Sequence, residues 1–148
     1  MKYIIYFVAT VAGAGYSPVA PGTMGALVAI MLAFFLQIPL WGIIAGIIGL
    51  TIIGTWASYS IEKNSGEEDP GLIVIDEFVG QWISIILVPV QWKYYIVAFL
   101  LFRVFDIAKP WPIRQSQYVG KGVGVMLDDI LAGIYALVVI HIAIWFGF

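Results

Sequence analysis

Half of the charged side chains in this sequence fall in three short segments: IDEFVGQ (75–81), FRVFDIAKPWPIR (102–114) and LDDILAG (127–133). The chain has only seven lysines and arginines and nine aspartates and glutamates, and eight of them lie there. Each segment adjoins a strongly apolar run. Charges beside hydrocarbon cost a few kcal/mol each and usually mark a site. In the first segment Glu77 and Gln81 are four apart, on one helix face, with Gly80 beside them. In the second, Arg103, Asp106 and Lys109 repeat every three residues and line one stripe, until Pro110 ends the helix. In the third, the adjacent Asp128 and Asp129 stand where a helix is expected to begin.

Five carboxylates with three cations (Arg103, Lys109, Arg114) suit a hard divalent metal together with an anionic ligand. Mg²⁺ takes oxygen ligands, often one or two carboxylates with waters and phosphate oxygens. Arginine and lysine bind phosphate, and a bound metal can activate a water as nucleophile. Other hydrolytic routes are closed: there is no cysteine, and the single histidine, His141, sits late in the last apolar run. The loop GAGYSPVAPGTMG (13–25) offers backbone amides and the hydroxyls of Ser17 and Thr23, which can cradle phosphate where a helix follows. Plainer roles exist for most of these groups. Asp128 and Asp129 could cap a helix, the three cations could snorkel to headgroups, and Trp92, Trp111 and Tyr118 suit an aromatic belt. His141 suits a polar contact between helices, and residues 61–71 a solvated turn. Asp76 with Glu77 inside an apolar run resists any such reading best.

The elements that must position these groups follow from composition. Of 148 residues, 62% are hydrophobic and 11% charged, with a mean hydropathy of +1.01. A soluble domain is about 45–50% apolar, so much of this surface must face lipid. The length suits one domain, 1–148. A net charge of −2 provides no footprint for nucleic acid, and the N-terminus lacks a convincing signal peptide. A crossing helix needs about 20 apolar residues. Residues 40–60, 72–90, 92–108 and 127–148 come near that, and 22–36 is marginal. Residues 3–12 are too short to cross and predict an interfacial or re-entrant helix. The expected fold is an all-α polytopic membrane bundle of four to five spans. With five spans, Lys2, Lys63, Lys109, Arg114 and Lys121 share one side and Lys93 stands alone on the other, so the first side is cytoplasmic. The acidic groups of all three segments then fall at one depth on the cytoplasmic face.

These motifs, in this order and over nearly the whole length, resemble the phosphatidylglycerophosphatase A family: the glycine-rich loop at 13–25, VIDEFVGQWI (74–83), FRVFDIAKPWPIR (102–114) and GVGVMLDDILAGIYA (122–136). The resemblance implies a Mg²⁺-dependent lipid phosphatase of the bacterial inner membrane, acting on phosphatidylglycerophosphate in the cytoplasmic leaflet for phospholipid biosynthesis. It carries Asp76, Glu77, Arg103, Asp106, Lys109, Arg114, Asp128 and Asp129 over as site residues. Chemistry then divides the roles. Glu77, Asp106, Asp128 and Asp129 are expected to ligate Mg²⁺; Arg103, Lys109, Arg114 and Thr23 to hold phosphate, with Lys109 also offsetting transition-state charge; and Asp76 to orient or deprotonate water. The competing expectation is a small transporter or a membrane-complex subunit whose carboxylates bind ions or a partner. A transporter should carry polar groups through the midplane and show repeats; here no repeat is seen and the charges stay at one face.

Overall fold

Apolar segments become helices wherever glycine and proline leave them uninterrupted. The computed structural model describes residues 2–148, and no strand occurs among them. Helix α1 (Lys2–Ala9) is followed by an irregular loop containing one 3-10 turn, Ala14–Tyr16. There Gly13 (φ 103°) and Ala20 (φ 46°) adopt left-handed conformations that no helix can continue through. Helix α2 (Pro21–Leu36) starts on a proline, whose missing N–H is no loss at that position. Helix α3 (Leu40–Ser65) stops at Gly66, φ 75°. Helix α4 (Ile75–Ser84) follows the acidic loop, and α5 (Trp92–Ala108) ends at the left-handed Lys109 just before Pro110. A single turn, α6 (Ile113–Ser116), leads to α7 (Val123–Trp145).

Two helices, α3 and α7, are long and apolar enough to cross a membrane. With 26 and 23 residues they extend about 39 and 35 Å at 1.5 Å per residue, against a hydrocarbon layer of about 30 Å. Helices α2 and α5, of 16 and 17 residues, are shorter. The run 72–90 does not form one long span. It yields the ten-residue α4, about 15 Å long, in which every residue but Glu77 is buried. The irregular stretch after it keeps Ile85 and Val88 buried, and irregular backbone at such depth needs protein cover. A helix enclosed by protein on all sides is as apolar as one in lipid, which is why hydropathy overstates its length. The eight-residue α1 is also too short to cross, and it leaves Tyr3, Ile4 and Phe7 exposed.

Three contacts sort the helix termini onto two ends of the bundle. The Gly122 amide donates to Glu62 Oε2 at 2.5 Å, tying the end of α3 to the start of α7. Lys93 Nζ donates to the Phe148 carbonyl at 2.8 Å, tying the start of α5 to the end of α7. The buried Trp82 indole donates to the Ala29 carbonyl at 2.9 Å and locks α4 against mid-α2. The starts of α2, α4 and α7 and the end of α5 therefore share one end. Exposed Trp111 and Tyr118 lie at that end, and exposed Trp41, Trp92 and Trp145 at the other. His141 bonds the Leu137 carbonyl of its own helix at 2.9 Å, not a neighbouring helix as expected.

Candidate active site

Glycines bring α4 and α7 together. A Cβ placed on Gly133 would stand 2.4 Å from the Gly80 carbonyl oxygen, and one on Gly80 would stand 2.6 Å from the Asp129 carbonyl oxygen and from the Phe102 ring. Small residues at such a contact let two helix backbones approach closely. Asp76 precedes Gly80 by four residues, and Asp129 precedes Gly133 by four. Each aspartate therefore stands one turn above its glycine, and the two helices deliver them to the same place. Glu77 joins them: carboxylate oxygens of Asp76, Glu77 and Asp129 all lie within 4.8 Å of one another.

The cations flank this cluster. Arg103 Nη1 pairs with Asp106 Oδ2 at 2.5 Å and lies 3.9 Å from Glu77 Oε1. Lys109 Nζ pairs with Asp128 and also reaches Gln117 Oε1 at 3.3 Å. Burial alone would lower the Lys109 pKa, but the neighbouring Asp128, Asp129 and Asp106 outweigh it and raise it, so the ammonium stays charged. Asp106 and Asp128, expected among the metal ligands, are thus each engaged by a cation, whereas Asp76, expected beside the water, stands with Glu77 and Asp129. Asp128 and Asp129 lie more than a turn inside α7, which begins at Val123, so neither caps it. Arg114 is exposed on α6 and makes no ion pair among the described residues.

Five carboxylates against two cations leave a formal excess of three negative charges in a largely buried group. Like charges so close oppose one another strongly. The first turn of α4, holding Asp76 and Glu77, offers the positive end of its helix dipole as partial compensation. The hydrogen bonding is also incomplete. Asp76 Oδ1, Glu77 Oε2, Asp129 Oδ1 and Arg103 Nε are buried without a partner. Buried polar atoms are nearly always paired. Three clustered carboxylates, each with an unmet acceptor, fit a divalent cation with oxygen ligands, and an unmet guanidinium donor on the neighbouring Arg103 fits an anion.

The start of α2 closes the site. A Cβ on Gly22 would lie 1.9 Å from Glu77 Oε1 and 3.4 Å from Arg103 Nη1, so the first turn of α2 abuts the cluster. Thr23 is half-buried next to it. Three contributors escaped the reading of the sequence. One is Gly22. Another is Glu62, assigned to a solvated turn but 3% exposed, which accepts the amides of Asp69 (3.0 Å) and Gly122 and so fixes the start of α7. The third is the paired spacing DEFVG and DILAG, a visible signal whose meaning needed both helices.

An all-helical bundle with a carboxylate centre flanked by two phosphate-type cations is a frame suited to a phosphatase. The comparisons specify which. The family model for phosphatidylglycerophosphatase A matches residues 7–144. Phosphatidylglycerophosphatase A of Escherichia coli is 38% identical, covering 87% of this chain and 77% of its own. That of Haemophilus influenzae is also 38% identical, covering 92% and 86%. A Bacteroides thetaiotaomicron protein, provisionally named a phosphatidylinositol-3-phosphatase, is 42% identical over 97% of this chain and 96% of its own. No solved structure matches the chain. The chain belongs to the phosphatidylglycerophosphatase A family and is an enzyme of the phosphatase class.

Proposed function

We propose that this protein hydrolyses the terminal phosphomonoester of phosphatidylglycerophosphate, releasing phosphatidylglycerol and inorganic phosphate in phospholipid biosynthesis, and that it requires Mg²⁺. The observation that carries this reading is the triad of carboxylates, each with a buried, unpartnered oxygen, beside an arginine with an unpartnered donor. Asp76, Glu77 and Asp129 would hold the metal. When bound, Mg²⁺ would draw charge from the phosphoryl oxygens and lower the pKa of a water. Arg103 and Lys109 bind the phosphoryl oxygens and stabilise the charge that grows there in the transition state. Asp106 and Asp128 hold those two cations in register, and Thr23 with the α2 amides completes the phosphate cradle. Asp76 orients the attacking water and accepts its proton. The water oxygen forms a bond to phosphorus, the phosphorus–glycerol oxygen bond breaks, and the departing alcohol oxygen takes up a proton.

We also read the chain as a multi-pass protein of the bacterial inner membrane, crossed by α2, α3, α5 and α7 and, between α3 and α5, by the half-helix α4 together with the irregular stretch after it, with α1 at the interface. The excess of lysine and arginine on the side of the site supports a cytoplasmic orientation for it. The deciding assay is phosphate release by the detergent-solubilised protein, with Mg²⁺ and with EDTA, from phosphatidylglycerophosphate, phosphatidic acid and phosphatidylinositol 3-phosphate. Mg²⁺-dependent release confined to the first lipid supports the proposal. Preference for the inositide would transfer the substrate to that of the Bacteroides relative's name, and no release by folded protein with Mg²⁺ would overturn the reaction itself.

A further inference from the structure

Two of the helices that build the site also line an apolar trough. Between α2 and α5 lies a trough of about 240 Å³, with Leu27, Met31 and Phe34 on one wall and Ile96 and Phe99 on the other. Its floor is firm: Ile30 is 6% and Tyr95 7% exposed. Helix register ties the trough to the charged end. On α5, Ile96, Phe99 and Arg103 follow at steps of three and four, so Arg103 heads the same face. On α2, Thr23, Leu27 and Met31 follow at steps of four, so Thr23 heads the opposing face. The two helices that supply the phosphate-type contacts therefore also line an apolar trough one turn and more further along the same faces. That arrangement suits a single amphiphile.

We propose that this trough seats one acyl chain of the phosphomonoester lipid whose headgroup the site holds, a reading that rests on the lipid phosphatase function above. At about 30 Å³ per small group, 240 Å³ takes roughly eight methylene-sized groups, part of one chain and not two. A chain leaving the bilayer for the trough exchanges one hydrocarbon environment for another, so hydrophobic burial adds little. The contribution is placement: a chain held in register with Arg103 fixes the phosphoester at the carboxylates, and orientation of that kind is worth large factors in rate. The selectivity is for a monoester lipid because only its terminal phosphate brings the anion that Arg103 and Lys109 take.

The test uses the wild-type protein in phosphatidylcholine vesicles with Ca²⁺ in place of Mg²⁺. Two probes carry the same photoactivatable group at mid-chain, one a phosphatidylglycerophosphate and one a phosphatidylcholine, and adducts are mapped by mass spectrometry. The monoester probe is expected to label Leu27–Phe34 of α2 and Ile96–Phe99 of α5 more strongly than the diester by roughly tenfold or more, because its tethered headgroup raises the local concentration. Filling the trough by Met31→Trp or Ile96→Trp should remove those adducts and lower kcat/KM on the long-chain lipid by roughly tenfold. Ile52→Trp, on the exposed face of α3, should keep both at wild-type values. Equal labelling by the two lipids, or adducts spread evenly over α3 and α7, would overturn the proposal. Selective labelling by a protein that releases no phosphate would uphold the groove while refuting the reaction, so the two failures are separable.

Discussion

The contact between Gly80 and Gly133 makes the sharpest demand on this molecule. In Gly133→Ala the new Cβ would lie 2.4 Å from the Gly80 carbonyl oxygen, whereas real Cβ contacts are essentially never under 3.0 Å. The obstruction is backbone, so no side chain can swing aside, and α7 must withdraw from α4 by at least about 0.6 Å. Forcing such overpacking costs roughly 1–3 kcal/mol, which a bundle of this size can survive. The active centre cannot absorb it as easily. Asp129 sits one turn from Gly133, so the shift pulls its carboxylate away from Asp76 and Glu77, and a misplacement near 1 Å can cost about 10²-fold in rate. The expected result is folded, monodisperse protein in detergent with phosphate release down by roughly 10- to 100-fold and a raised Mg²⁺ requirement. Gly49→Ala is the control: it lies in α3, where a Cβ would have nothing within 4 Å, and its activity should match the wild type. Full activity in folded Gly133→Ala would refute the idea that this contact sets the carboxylate spacing.

Other consequences follow from the same geometry. Asp76→Asn, Glu77→Gln and Asp129→Asn should each reduce phosphate release by on the order of 10²–10³-fold. In EDTA the same proteins should melt at higher temperature than wild type, because each relieves repulsion in the buried acidic group; an unchanged or lower melting temperature for all three would count against that repulsion. Gly22→Ala meets only side-chain ends, those of Glu77 and Arg103, so its melting should change little while Mg²⁺ affinity, followed by titration, falls. Glu62→Gln weakens two bonds to backbone amides, at about 1.5–3 kcal/mol for bonds to a charged group, and should lower the melting temperature without abolishing catalysis in folded protein. Chelation by EDTA should stop phosphate release, and added Mg²⁺ should restore it.

Much of the architecture was legible because it depends on local chemistry. The bounds of α5, 92–108, follow from an apolar run that meets Pro110, and the irregular loop before α2 follows from its glycines and prolines. The concentration of eight charges in three segments beside apolar runs points to the candidate site, Asp76 with Glu77 most of all. Family membership is equally a property of the linear motifs. Partnerships across helices are another matter. Spacing on α5 puts Arg103, Asp106 and Lys109 on one stripe and brings Asp106 within reach of Arg103, yet only the packing of α5 against α4 and α7 decides that Arg103 also approaches Glu77, that Asp128 serves Lys109, and that Asp76 joins Glu77 and Asp129. Arg114 belongs to the same motif but faces outward, because α6 turns away after the prolines. The short α4 was hidden for a related reason: hydropathy counts apolar residues and cannot tell a neighbouring helix from lipid. Local sequence sets where helices form and which groups are charged, whereas distances between groups on different helices arise from close packing, here through glycines whose role appears only when both partners are in place.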